Sequence, residues 1–271
     1  MTLAVGFFDG VHVGHQAILK GADAALTFRT HPLAVLAPAR APRLIMDFES
    51  RVAAIHACGV REVAALDFTP ETARLSPGEF LARAGVSPDT HFRCGVNWRF
   101  GRNGAGDAAF LRGCGYSVEV VPSVEFDGER ISSTRIRAAL ERGDVEKATA
   151  MMGRPFAARG RVFAGKGEGS RLGCPTVNLA MRSLELRLPL GAYAVEAAGA
   201  RASANYGVAP TFGARAWDAP VLELHFLGDV PNLPGPDVEV RFLRFLRPER
   251  KFASPGELAA QIARDCAEAA Q

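Results

Sequence analysis

Lysine is scarce in this chain: of the 32 basic residues among 271, only Lys20, Lys147, Lys166 and Lys251 are lysines, and the other 28 are arginines. No block of roughly five or six like charges occurs, and the formal charge of +3 is close to balance. A nucleic-acid-binding arm or a basic membrane-surface patch is therefore not expected. No apolar run approaches the roughly 18 residues of a membrane span, so no transmembrane segment is expected. The N-terminus lacks a charged region leading into an apolar stretch and a small-residue cleavage site, and cytoplasm is the expected compartment. The five cysteines, Cys58, Cys94, Cys114, Cys174 and Cys266, are odd in number and include no C-x-x-C. Neither a disulfide framework nor a zinc site built on cysteine is indicated. There is no internal repeat and no low-complexity tract.

What is present is organised around one stretch near the start, Leu3-Ala4-Val5-Gly6-Phe7-Phe8-Asp9-Gly10-Val11-His12-Val13-Gly14-His15. The apolar run over residues 3–8 suits a buried parallel strand, Gly10 marks a turn, and a helix is predicted over about 11–20. At such a strand–turn–helix junction the free helix amides and the dipole favour an anion by roughly 0.3–1 kcal/mol. His12 and His15, three apart, share one helix face. Gly14 between them lets a ligand approach the backbone. Two imidazoles and several amides converging on one volume suit the charge of a pentacovalent phosphorus. The rival reading is zinc, with Asp9 the only local candidate for a third ligand.

A chain of 271 residues suggests two domains. Residues 1–153 alternate strands (22–28, 62–68, 91–96, 117–121) with helices (48–58, 77–84, 107–114), which calls for a parallel sheet covered by helices. The run Arg130-Ile131-Ser132-Ser133-Thr134-Arg135-Ile136-Arg137 opens a further helix. Its hydroxyls at Ser132, Ser133 and Thr134, with Arg135 and Arg137, form a second anion site or else a plain N-cap with solvated arginines. A helix over 144–152 ends at Gly153. From there the pattern changes: residues 154–271 show short strands (161–163, 192–197, 221–227, 238–245) between Gly/Pro turns, which indicates a small antiparallel barrel or sandwich. A last helix, from Pro255 to about Ala267, presents Leu258, Ile262 and Cys266 as an apolar stripe.

This second domain carries its own candidate site. Gly165, Gly167 and Gly169 belong to a glycine-rich loop, either a phosphate cradle or a flexible hairpin. Just beyond it, Thr176 and Asn178, two apart on an extended chain, present oxygens on one face, as a Mg-ATP site needs. Glu223 sits in an otherwise apolar strand, either facing solvent or serving as a general base.

H-x-G-H after F-D-G and a strand is the signature of the nucleotidyltransferases, and the motifs in order resemble the bacterial bifunctional riboflavin kinase/FMN adenylyltransferases, the FAD synthetase family. Gly6, Phe8, Asp9, Gly10, His12, Gly14 and His15 match its G-x-F-D-G-x-H-x-G-H. Thr27-Phe28-Arg29-Thr30-His31-Pro32 stands for T-F-x-P-H-P, and Gly95-Val96-Asn97-Trp98-Arg99-Phe100-Gly101 for the flavin-side loop. The S-S-T-R-I-R run is intact. Gly173, Pro175, Thr176 and Asn178 match G-x-P-T-x-N, Asn205, Gly207, Pro210, Thr211 and Phe212 the next segment, and Glu223 the family's catalytic glutamate.

The resemblance implies a Rossmann-like α/β nucleotidyltransferase domain followed by a riboflavin kinase-like antiparallel β-barrel with a terminal helix. It implies ATP, riboflavin and FMN as substrates, FAD as product and Mg2+ as cofactor. The catalytic residues would be His12, His15 and Glu223. ATP phosphates would be held by Gly6, Phe8, Asp9, Gly14, Ser132, Ser133, Thr134, Arg135 and Arg137 in one domain and by Gly165, Gly167, Gly169 and Gly173 in the other. The flavin would meet His31, Asn97, Trp98, Arg99 and Asn205, and the metal Thr176 and Asn178. The chain departs from the family in a shorter segment between His15 and Thr27, in Arg29 and Thr30, and in the loop after Glu223, which lacks the family's tyrosine and lysine. Two alternatives stand beside this reading: a chain with adenylyltransferase activity alone, and a flavin- or nucleotide-binding regulator with decayed catalysis.

Overall fold

A computed structural model describes residues 1–164, 176–181, 188–207 and 221–271. The chain forms two compact units, Met1–Ser133 and Thr134–Gln271.

In the first unit, β1 (Thr2–Val5), β2 (Ala24–Phe28), β3 (Glu62–Leu66), β4 (His91–Gly95) and β5 (Ser117–Val121) form a parallel sheet in the order β3-β2-β1-β4-β5. The first strand is shorter than its apolar run. It ends at Val5, and Phe7 and Phe8 belong to the turn. Alternation along β1 divides the core. Leu3 and Val5 join Leu26, Phe80, Phe92 and Leu111 on one face, whereas Ala4 joins Ala25, Leu19, Ile55 and Val60 on the other. Full burial of such side chains is worth about 1.5–3 kcal/mol each. The covering helices are α1 (Val13–Leu19), α2 (Pro32–Leu36), α3 (Phe48–Ala57), α4 (Pro70–Arg74), α5 (Pro77–Arg83) and α6 (Ala108–Gly113). Helix α5 starts on a capping box between Ser76 and Glu79. A two-stranded ribbon, β6 (Glu125–Phe126) with β7 (Glu129–Arg130), turns on Asp127 and Gly128, both at positive φ, an Asp-Gly hairpin.

The second unit takes in α7 (Ser133–Glu141) from Thr134 onward and α8 (Val145–Met152), so the compact unit begins before the change of pattern at 153/154. Ile136 and Leu140 are buried, as their spacing predicts, and α8, with Met151 and Met152 buried, lies against barrel strands. Six antiparallel strands then close a barrel: β8 (Phe156–Phe163), β9 (Thr176–Met181), β10 (Gly191–Ala197), β11 (Ala200–Gly207), β12 (Val221–Phe226) and β13 (Asp237–Pro248), in the order β10-β11-β12-β9-β8-β13. Phe156, Leu179, Tyr193, Val195, Leu222, Leu224, Val240 and Phe242 fill it.

The terminal helix, α9 (Pro255–Ala269), lies on β10, β11, β12 and β13. Its buried face is Gln261, Ile262, Asp265 and Ala269, and Leu258 and Cys266 are only half-buried. The apolar stripe is displaced because Asp265 is drawn inward by Arg247, with Nη2–Oδ2 2.6 Å and Nε–Oδ1 3.0 Å, and by the Gln261 amide at 2.7 Å. Arg244 and Arg201 donate to the carbonyls that end the helix, where cations complement its dipole. Among the described residues, no helix is long and apolar enough to cross a membrane.

Candidate active sites

In an open parallel sheet, ligands bind outside the carboxyl ends of the strands where the strand order reverses. Here the reversal falls between β1 and β4. The H-x-G-H turn leaves β1, the Thr27–Pro32 segment leaves β2, and the Gly95–Gly101 loop leaves β4, so three sequence motifs emerge at one edge of the sheet.

The turn after β1 is strained and held. Phe8 lies at φ 59°, Gly10 at 78° and Val11 at 37°, the last a conformation that a β-branched residue rarely adopts. All three are buried. The Asp9 carboxylate accepts from the amides of Ile45 at 3.0 Å and Met46 at 3.3 Å, and the Ser133 hydroxyl donates to the Asp9 carbonyl at 2.9 Å. Asp9 is 3% exposed, so its carboxylate serves these backbone amides and shapes the turn.

His12 caps α1: its Nδ1 accepts from the His15 amide at 3.2 Å. With Nδ1 acting as acceptor, the proton of the neutral ring is on Nε2. The two imidazoles stack at 3.6 Å between centroids and 15° between planes, and Phe8 meets His15 edge-on. A Cβ at position 14 would lie 3.2 Å from His12 Cε1, so Gly14 makes room for the stacked ring. Among the described residues no group of three His, Cys, Asp or Glu could hold a metal ion, which gives the zinc reading of this turn no support.

Around this turn, His31 caps α2 by accepting from the Leu33 amide at 3.1 Å, and its ring meets Phe7 edge-on at 4.7 Å. Trp98 stacks on Phe100 at 4.6 Å. Arg99 reaches the Trp98 carbonyl at 3.1 Å and Asp107 at 3.6 Å. Asn97 is exposed. Gly6 is followed closely by the Phe8 ring, 2.8 Å from where its Cβ would be. Ser132 and Ser133 close the first unit, whereas Thr134, Arg135 and Arg137 open the second, with Arg137 Nη2 3.4 Å from the Thr134 hydroxyl. One residue with no signal in the sequence stands out. Arg51 of α3 is 0% exposed, with its guanidinium 4.0 Å from the Phe7 ring centre.

In the barrel, strand register assembles residues from distant parts of the chain. Asn178 of β9 pairs with Glu223 of β12, and Glu223 pairs with Asn205 of β11. The next outward row is Thr176, His225 and Ser203. Leu222, Leu224, Leu179 and Tyr206 are buried in the interior, so alternation turns both polar rows to the outside of the barrel. Asn178, Glu223, Asn205 and Thr176 are half-buried, while His225 is 5% and Ser203 2% exposed. Burial pushes the His225 imidazole down to about 4 against the opposing pull of Asp265 on α9. Its Nδ1 has no hydrogen-bond partner among the described residues. The expected contributions of Gly165, Gly167, Gly169 and Gly173, and of Pro175, Pro210, Thr211 and Phe212, lie outside the described residues.

In comparison with known proteins, two family models match successive parts of the chain. The FAD synthetase family model matches residues 1–135 and the riboflavin kinase model residues 152–271. Proteins called bifunctional riboflavin kinase/FMN adenylyltransferase are similar over nearly the whole length. That of Bacillus subtilis is 30% identical over 99% of this chain and 91% of its own. That of Escherichia coli is 33% identical over 97% and 90%, and that of Pseudomonas fluorescens 35% over 98% and 90%. A crystal structure described as a macrolide-efflux protein from Streptococcus pneumoniae superposes with a TM-score of 0.83 at 29% identity, over 97% of this chain and 91% of that one. The chain belongs to the bifunctional riboflavin kinase/FMN adenylyltransferase family.

Proposed function

We propose that the chain makes FAD from riboflavin in two ATP-dependent steps, phosphorylation to FMN by the barrel and adenylyl transfer to FMN by the parallel-sheet unit, with the functional boundary at 153/154 and the cytoplasm as its place of work. The observation that carries this reading is the row Asn178–Glu223–Asn205, a carboxylate set between two amides on the outside of a barrel. An adenylyltransferase acting on another mononucleotide has no use for it, and a regulator has no need of a base there.

In the kinase step Glu223 takes the proton of the terminal ribityl hydroxyl as its oxygen attacks the γ-phosphorus and ADP leaves, a contribution of about 10²–10⁴ in rate. Asn178 and Asn205 flank the carboxylate, Asn205 on the flavin side. The glycines at 165, 167, 169 and 173 cradle the phosphates. Magnesium fits the donor set, because the Thr176 hydroxyl, the Asn178 amide oxygen and a nearby carboxylate are oxygen ligands of a hard cation. With no closed acidic cage among the described residues, such an ion would be shared with substrate phosphates. Thr176 and Asn178 would hold it, and it would supply neutralisation of phosphate charge.

In the adenylyl step a phosphate oxygen of FMN attacks the α-phosphorus of a second ATP and pyrophosphate leaves. His12, whose Nδ1 accepts from the His15 amide and so leaves the ring proton on Nε2, donates to the transferring phosphate, and His15 to the leaving group. Ser132, Ser133, Thr134, Arg135 and Arg137 hold the triphosphate. Gly6, Phe8, Asp9 and Gly14 fix the turn, and His31, Asn97, Trp98 and Arg99 flank the flavin. Incubating the purified chain with riboflavin, ATP and magnesium, and resolving flavins by chromatography, should show FMN and then FAD. FAD from supplied FMN but none from riboflavin would leave the adenylyltransferase alone, and no product from either would return the chain to a binding role.

A further inference from the structure

Arg51 combines several unfavourable placements, and they support an inference that rests on the adenylyl-transfer reading above. Its side chain is fully buried, where a cation without a partner is held at a cost of several kcal/mol. Asp9 and Asp47 are the carboxylates near enough to act on it. Both are engaged with backbone amides, Asp9 with Ile45 and Met46, and Asp47 with Ser50. Among the described residues Nε and Nη1 have no hydrogen-bond partner, and Nη2 donates to the carbonyls of Phe28 at 2.6 Å and Arg29 at 3.2 Å. The residue also lies in the first turn of α3, capped by Asp47, where the helix dipole disfavours a positive charge. Burial lowers its pKa only to about 10, which leaves it a cation at neutral pH.

Stability does not explain such a charge, because apolar replacement of buried ionic groups is often neutral or stabilising. Its position does. The guanidinium packs on Phe7, Phe7 packs on His31, and the bonded carbonyls stand where the chain leaves β2. A fixed positive charge behind the carboxyl ends of β1 and β2, in low dielectric, is complementary to phosphate arriving at that edge and needs no reorganisation when it arrives.

We propose that Arg51 is a positioning residue of the adenylyl-transfer site, a buried cation that sets Phe7 and the Phe28–His31 turn and pre-organises the adjoining crevice for substrate phosphate. The test measures FAD formation from supplied FMN and thermal unfolding in the full chain carrying Arg51→Lys, Arg51→Gln or Arg51→Met. Lysine keeps the charge, glutamine keeps a neutral donor, and methionine keeps neither. Glutamine and methionine should lower kcat/KM by about ten-fold or more, less than the loss of a direct donor, while lysine stays within about three-fold. The loss should appear mainly in KM, and whether that of FMN or of ATP rises more identifies the phosphate concerned. The unfolding midpoint of the methionine variant should be unchanged or raised. Should methionine fail to fold, the contrast between lysine and glutamine carries the test. Parental activity in the glutamine variant, or lysine no better than glutamine, would overturn the proposal. A parent that makes no FAD from FMN would instead overturn the reading on which it rests.

Discussion

Lowering the pH from 7 toward 4 should destabilise the barrel unit by about 3 kcal/mol through His225 alone. The imidazole is 5% exposed on the outer face of β12, opposite Thr176 and Ser203 and within the field of Asp265. Its pKa falls from 6.5 to about 4 because burial disfavours the cation. Below pH 6.5 the unfolded chain binds a proton that the folded chain refuses until about pH 4, so stability declines across that window. At about 1.4 kcal/mol per pH unit the loss is about 3 kcal/mol. Arg247 and Gln261 hold Asp265 in place, so the carboxylate cannot swing onto the ring to offset the penalty without breaking those bonds. The assay is denaturant unfolding of the metal-free chain at several pH values, parent against His225→Gln. Carboxylates contribute to both proteins, so the difference between the two slopes is the quantity of interest. The parent should lose stability more steeply between pH 6.5 and 4. Parallel slopes would refute the assignment of a buried neutral imidazole.

Arg135→Ala should weaken the use of ATP in adenylyl transfer by about 1.5–3 kcal/mol, the range for a charge-assisted hydrogen bond, read as KM and kcat with FMN supplied. Gly14→Ala should push on the His12 ring and lower FAD formation by about ten-fold with a near-parental unfolding midpoint, a geometric effect on the stacked pair. Asp265→Ala strands Arg247 and Gln261 against α9 and should destabilise the barrel by about 3–5 kcal/mol in chemical unfolding. Thr176→Ala should raise the magnesium concentration needed for half-maximal FMN formation and leave FAD formation from FMN unchanged.

Much of this architecture was legible in the sequence because it is written in local patterns. The parallel-sheet strands are apolar runs, and the start of α5 is announced by Ser76, Pro77 and Glu79. The shift from alternating strands and helices to strands alone falls near residue 153, whereas the compact units part at Ser133/Thr134. Strand β11 escaped notice: Ala200–Gly207 is built of small and polar residues, and it is a strand because β10 and β12 pair with it on both sides. Helices α2 and α4 are single turns whose prolines read equally well as loop. The stripe of α9 was misplaced because Arg247, eighteen positions away, draws Asp265 inward. The same limit applies to the sites. His12 and His15 are three residues apart and visible together, whereas Asn178, Asn205 and Glu223 become neighbours only through register. Arg51 reads in Glu49-Ser50-Arg51-Val52 as one more solvated helix arginine, and nothing short of the packing of Phe7 and α3 shows that it is buried.

The central claim is that two independent phosphate chemistries reside in the two halves of one chain, and a pair of variants tests it most directly. Parent, His15→Ala and Glu223→Gln are each given riboflavin or FMN with ATP and magnesium, and riboflavin, FMN and FAD are resolved by chromatography. His15→Ala should accumulate FMN from riboflavin at the parental rate and make no FAD. Glu223→Gln should lose FMN formation by about 10²–10⁴ and still convert supplied FMN to FAD at the parental rate. Mixed together, the two variants should restore FAD synthesis from riboflavin. Loss of both activities in either variant would contradict the account.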